Sequence, residues 1–381
     1  NSKHRRLASK YMTAGESHGE ALLAIIDGLP AGLKIDRLRI NKELKRRMTG
    51  YGRGGRMKIE KDKAKILSGL RKEVTIGSPL AILIENKDFS INSLKAITKA
   101  RPGHADLSGA LKYNVKDIRS ILERASARET ATRVAVGALA KILLSEFNVD
   151  VLSHVVSIGP VEADTEGLSS KRIRQAAEKS PLRCADKFAE TLMKKEIDDA
   201  KRQGDTVGGV CEVIITGVPV GLGSYVQWDK RLDANLARGL MAIPAIKGVS
   251  VGEGFDLAVI RGSRAHDEII RDKKSAFRRK TNNAGGIEGG ISNGEDIVVK
   301  VAMKPIATLR KPLESIDIKT KKSAKAQVER ADVCAVPACG VIAEAVATIE
   351  IANAMIEKFG GDSLGEMKRN FNGYIKQVKE F

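Results

Sequence analysis

Residues 123–147 read ERASARETATRVAVGALAKILLSEF, and the fold turns on this stretch. Ala135, Leu139, Ile142 and Leu143 recur at helical spacing and share one face. The many alanines and Gly137 leave little bulk on the helix, so it is expected to pack closely against another element. A partner of similar length is expected over 340–358, apolar at Ile342, Val346, Ile349, Ala352 and Ile356. A more polar helix is expected over 186–202, stopped by Gly204, and a short basic one from Asn41 to Arg47. Residues 20–26, 79–86, 207–216 and 297–303 are apolar runs that predict strands. Helices and strands do not alternate strictly, which favours α+β over a doubly wound parallel sheet. Residues 281–294 and 306–327 are loop-rich. Neither a clean linker nor a repeat is visible, so one intertwined unit and two halves both stay open.

The chain has 381 residues, 42% of them hydrophobic, enough for a sizeable core. No apolar run is expected to approach the ~18 residues of a membrane span. The first ten residues are basic and lack the apolar stretch of a secretory signal. Cys184, Cys211, Cys334 and Cys339 show no C-x-x-C spacing, which argues against a disulfide framework or zinc site and fits a reducing compartment. The formal net charge of +19 points to an anionic partner, either a polyanion or a small ligand. Residues 37–72 hold 14 Lys and Arg against Glu43, Glu60 and Asp62. Most of those lysines read as a solvated face. The arginines are less easily dismissed, because a guanidinium matches carboxylate and phosphate oxygens.

Six segments carry candidate chemistry. His18 sits between small residues in GESHG (15–19), placed for proton transfer or, more plainly, for a turn. Arg47, Arg53 and Arg56 lie in RRMTGYGRGGRM (46–57). Its glycines match G-x-G-x-x-G but follow a basic helix where the dinucleotide fingerprint needs a strand. RPGHAD (101–106) presents Arg101, His104 and Asp106 on one turn. Arg124 and Arg128 are four apart and predict one cationic helical face near a helix start, where an anion is favoured. TNNAGGIEGGISNG (281–294) permits close backbone approach to a ligand. KPIAT (304–308) and ERADVC (329–334) complete the set; Asp332 beside Arg330 reads, on its own, as a salt bridge. There is no HExxH, GxSxG, P-loop or cysteine-rich ligand set.

In this order, from Thr13 to about Ala347, the six segments closely resemble the chorismate synthase family, as do AIPAIKGVSVGEGF (242–255) and HDEI (266–269). The resemblance implies a β-α-β sandwich with helices between antiparallel sheets, in a single domain over 13–381 after a basic extension at 1–12. It implies loss of phosphate from 5-enolpyruvylshikimate 3-phosphate by 1,4-anti elimination, giving chorismate, with reduced FMN and no net redox change. It implies a cytoplasmic homotetramer, with NADPH or an external flavin reductase as source of reducing equivalents. Carried over by motif, His18 and His104 handle protons, one at the leaving phosphate and one at the flavin, and Asp332 assists transfer of the substrate proton. Ser17, Arg47, Arg53, Arg56, Arg101, Arg128 and Arg330 would bind substrate. Arg124, Ala125, Ser126, Pro244, Ala245, Gly289, Lys304, Pro305, Ile306, Ala307, Thr308 and Arg330 would contact flavin. Arg47 and Arg53 also match positions assigned to nicotinamide nucleotide.

The chain departs from the family at two of these positions. Many members carry His where this chain has Ala331, which has no side chain to relay a proton. A frequent Asn-Ala pair is here Pro244-Ala245, and Pro244 has no N–H to donate. A nucleic-acid binder would share the basic pI, but only 4% of residues are aromatic and the arginines are tied to Gly and His motifs. An NADPH-dependent reductase lacks its fingerprint context here. The sequence therefore predicts a small-anion enzyme, without nucleic acid, membrane or metal.

Overall fold

The computed structural model describes residues 10–54, 61–271, 277–329 and 331–381. Two antiparallel sheets face each other across a layer of helices. Lys10–Ala14, Ala21–Asp27, Leu80–Glu85 and Lys65–Ile66 form the first sheet in that order. The second runs Ile246–Val251, Ile297–Met303, Gly209–Thr216, Asp150–Ile158, Val161–Glu162. The α+β class and the β-α-β sandwich therefore hold. The first strand begins at Lys10, so residues 10–12 belong to the sheet and not to an N-terminal extension.

Each sheet turns one face inward. Leu22, Ala24, Ile26, Leu80, Ile82 and Ile84 are buried beneath the helix Thr130–Ser145. Cys211, Val213, Ile215, Ile297, Val299 and Val301 are buried beneath the helix Val336–Phe359. The two helices pack directly on each other. A Cβ at Gly137 would lie 2.5 Å from Ala345 Cβ and 2.7 Å from its carbonyl oxygen, so no larger residue fits without moving a helix. The small residues of 123–147 thus produce the close packing expected of them.

Val336–Phe359 corrects one expectation. It is long and apolar enough to cross a membrane, yet 83% of its most apolar window is buried inside the fold. It is the central core helix, and its apolar faces meet a sheet and other helices rather than lipid.

The expected helix over 123–147 also divides. Arg119–Ala125 ends at Ser126, which is extended (φ −68, ψ 141), and a single 3₁₀ turn at Ala127–Glu129 precedes Thr130–Ser145. The basic helix is longer than expected, Arg37–Met48, and is capped by Asp36, which accepts from Leu38 N at 2.8 Å. Lys187–Gln203 ends on left-handed Gly204 as its sequence predicts.

Candidate functional site

A cavity of about 680 Å³ opens where the break at Ser126 meets the loops leaving the sheets. The GESHG segment, a turn between the first two strands, carries Ser17 and His18 into it. Arg47 enters from the last turn of Arg37–Met48, and Arg53 from the glycine loop after it. Arg101 and His104 come from the turn before the helix Asp106–Tyr113. Ala125, Ser126 and Arg128 line it from the helix break. Pro244 and Ala245, then Lys304, Ile306, Ala307 and Thr308, close the side nearest the second sheet. Asp332 arrives just before the core helix. His18, His104 and Asp332, far apart in sequence, thus share one cavity.

Each histidine is backed by a carboxylate. His18 Nδ1 lies 2.9 Å from Glu123 Oε1, and its backbone N–H donates to Glu123 Oε2 at 2.7 Å. His18 Nε2 lies 3.7 Å from Asp88. His104 Nδ1 lies 2.5 Å from Asp106 Oδ1. Arg101 also grips Asp106, donating from Nε at 2.8 Å and from Nη2 at 3.0 Å, and reaches Thr308 Oγ1 at 2.8 Å. Burial alone would raise the Asp106 carboxyl, but the bonds from His104 and Arg101 outweigh it and hold it well below the ordinary range. Burial likewise works against ionised Glu123, and bonds from the His18 ring and backbone, with the nearby Arg119 charge, overcome it and lower its pKa.

The glycine loop brings Arg53 to Asp332. A Cβ at Gly52, at φ +82, would meet Cys334 Cβ at 3.1 Å, and the Gly52 carbonyl accepts from Val333 N at 2.9 Å. This packing sets Arg53 Nη1 2.9 Å from Asp332 Oδ2, and Gly54 N donates to Oδ1 at 2.6 Å. Within the G-x-G-x-x-G match, Gly52 thus serves backbone packing.

Arg47 is 3% exposed. It donates to Thr130 Oγ1 and to the Ala127 carbonyl, both at 3.0 Å. Its Nη1 has no hydrogen-bond partner among the described residues and lies 3.5 Å from Asp62. Arg128 holds Asp62 more tightly, at 2.7 Å, and donates to Asn86 Oδ1 at 2.9 Å. Burial, opposed by Asp62 but reinforced by the Arg53 and Arg128 charges, pulls Arg47 down to about 9. A buried cation so poorly compensated is stabilised by an incoming anion.

Several expectations fall elsewhere. Arg124 and Arg128 do not share a helical face, because the chain breaks at Ser126 between them. Arg124 is turned to the Thr13 and Gly15 carbonyls at 3.0 Å and does not line the cavity. Pro305 and Gly289 also lie outside its wall. Gly285 answers to the packing of the fold, since a Cβ there would lie 2.3 Å from Gly252 N, whereas a Cβ at Gly289 would meet nothing within 4 Å. Arg56 and Arg330 lie outside the described residues. Pro244 and Ala245 do line the cavity, with Ala245 in the left-handed region (φ 70) and its carbonyl accepting from Lys304 N at 3.0 Å. Holding a non-glycine residue there stores strain of the order of 1 kcal/mol.

Sequence reasoning missed Glu123, Asp88, Arg119 and Asp62. Asp62 had a signal, being one of three acids in a strongly basic stretch, and Glu123 stands inside a motif already singled out. Asp88 and Arg119 had none. Among the described residues, no group of three or more His, Cys, Asp and Glu is placed to hold a metal ion.

A sandwich whose helix layer opens into a cavity of buried guanidiniums and two carboxylate-backed imidazoles defines an enzyme site for a small anion. The chorismate synthase family profile matches residues 9–356. Chorismate synthase of Geobacter sulfurreducens is 56% identical, over 98% of this chain and 100% of the relative. That of Thermoanaerobacter pseudethanolicus is 54% identical over the same shares. A crystal structure of chorismate synthase superposes with a TM-score of 0.82 at 43% identity, over 98% of this chain and 99% of the other. The chain belongs to the chorismate synthase family, a family of carbon–oxygen lyases.

Proposed function

We propose that this chain eliminates phosphate from 5-enolpyruvylshikimate 3-phosphate to form chorismate, with reduced FMN bound in the same cavity. One observation carries the reading: His18, His104 and Asp332 line a single cavity together with Arg47, Arg53, Arg101 and Arg128. The substrate bears two carboxylates and a phosphate. Drawn out of water, such charges need paired, hydrogen-bonding cations. Pre-organised donors of this kind can each lower the barrier by ~3 to 4 kcal/mol as phosphate departs.

The cavity also fits FMN, a phosphate ester with a broad apolar ring. Arg47 Nη1 has a place for an anion, and Leu122, Ile243, Met303 and Ile342 supply apolar wall beside Ala125, Ala307 and Ala338. Ala125, Ser126, Pro244, Ala245, Lys304, Ile306, Ala307 and Thr308 would hold it. Reduced flavin, when bound, supplies electron density and a base for the ring proton, with no net redox change.

The chain's own residues place and move protons. His18 turns Nδ1 to Glu123, which leaves its Nε2 to exchange a proton, and His104 sets Nδ1 between Asp106 and Arg101 Nη2; one ring serves the leaving phosphate and the other the flavin. Asp332, fixed by Arg53 and Gly54 N, assists removal of the substrate proton. Lys304 donates to the Gly103 carbonyl at 2.7 Å and steadies the turn that bears His104.

We further propose that residues 13–381 act as one functional unit, in a cytoplasmic homotetramer, with reduced flavin from an external reductase; NADPH at Arg47 and Arg53 is the alternative source. The test is an anaerobic assay of chorismate with dithionite-reduced FMN, and with oxidised FMN plus NADPH. Turnover is expected with reduced FMN. No product in that arm overturns the reading, and product in the NADPH arm assigns the chain its own reductase activity.

A further inference from the structure

Glu123 is 2% exposed, and burial of a carboxylate demands partners. Its partners converge on one short segment. The Glu123 carbonyl accepts from Ser17 N at 3.0 Å, Oε2 accepts from His18 N at 2.7 Å, and the two carboxylate oxygens lie 2.9 and 3.0 Å from His18 Nδ1. The His18 carbonyl is held in turn by Ser90 N at 3.1 Å and Ile91 N at 3.0 Å. Such a grip fixes more than the loop. A carboxylate accepts hydrogen bonds and donates none, so it selects the imidazole tautomer with hydrogen on Nδ1 and leaves proton exchange to Nε2. Arg119, 3.8 Å away, helps keep the carboxylate charged.

We propose that Glu123 is a positioning residue of the elimination reaction, setting both the orientation and the tautomer of His18. This rests on the reading that His18 handles a proton in the reaction. Glu123 stands to His18 as Asp106 stands to His104, but it comes from 105 positions along the chain instead of two.

Glu123→Gln separates the two roles. The amide oxygen can still accept from His18 N, so the loop stays anchored, while the amide NH₂ group faces the ring and favours hydrogen on Nε2. The expected result is a fall in kcat of the order of 10²-fold with KM little changed, and imidazole ¹⁵N resonances of His18 that move from the Nδ1–H to the Nε2–H pattern. Glu123→Asp should recover part of the rate. In a His18→Ala background, Glu123→Gln should lose nothing further, because the group it positions is gone. Wild-type kcat with an unmoved tautomer overturns the proposal, as does full additivity with His18→Ala, which would make Glu123 a support of the fold alone. If the wild-type chain itself forms no chorismate, the reaction assignment fails. The tautomer measurement, which needs no substrate, still decides for or against Glu123.

Discussion

Arg46 and Arg47 are neighbours on one helix and live in opposite surroundings. Arg46 meets Glu344 at 2.8 Å, Glu178 at 2.5 Å and Glu43 at 2.5 Å. Lys141 and Arg183 complete this cluster of three cations and three anions, and Ser153 Oγ donates to Glu344 at 2.8 Å. Burial works against the Arg46 charge, but Glu344 outweighs it and the guanidinium is held above its ordinary range. Arg47, one residue on, shares Asp62 with Arg128, and its Nη1 has no hydrogen-bond partner among the described residues. The charges of the first network balance within the fold, whereas the second leaves a cation that an anion would compensate. On the proposed function, the same side chain is architecture in one place and binding machinery in the next.

The contrast can be broken most strongly at Glu344. Glu344→Ala leaves Arg46, Lys141 and Arg183 facing one another in the core, and should lower unfolding free energy by ~3 to 5 kcal/mol in denaturant titrations. A loss near zero would mean that water reaches the cluster. Arg47→Gln sharpens the contrast from the other side. Substrate KM should rise ~10- to 100-fold, while stability stays level or improves because an ill-compensated buried charge is removed. A large stability loss with unchanged KM would move Arg47 into the structural class.

The smallest effect belongs to Glu178. Burial works to raise its carboxyl, but Arg46 and Arg183 together outweigh it and hold it below the ordinary range. Its folded pKa is therefore lower than its unfolded one. The stability it lends is complete above the ordinary carboxylate pKa of about 4.3 and is lost as pH falls through the folded value. Because the carboxylate is more than one-third exposed, Glu178→Gln should cost less than about 1 kcal/mol at neutral pH. It should also flatten the loss of melting temperature on acidification, measured between pH 6 and pH 3 on the scale of ordinary carboxylate titration.

Periodicity made much of the fold legible. The expected strands at 20–26, 79–86, 207–216 and 297–303 appear within a residue or two of their predicted ends, because each is a short apolar run that the sheet buries. Asp150–Ile158 escaped notice because it is buried on both faces and interleaves Ser153, His154 and Ser157 with its apolar residues, so no alternation marks it. Leu364–Glu380 escaped although its signal was present. Ser363 accepts from Glu366 N as a cap, and Met367, Phe371 and Tyr374 fall on one face. At the site, histidines and arginines stood out through their Gly and Pro turns, while Glu123, Asp88 and Asp62 did not.

Local patterns along the chain set the repertoire: which segments bury a face, which turns need glycine, and which motifs carry His and Arg. The pairings came from the folding of distant segments onto one another. That folding set Glu123 against His18, Asp62 against Arg128 and Glu344 against Arg46, partners 105, 66 and 298 positions apart. Helical and strand periods are local properties of a chain, and a reader of the sequence sees them directly. The fate of a charge depends on what lies within a few ångströms once water is excluded, and chain folding alone brings those groups together.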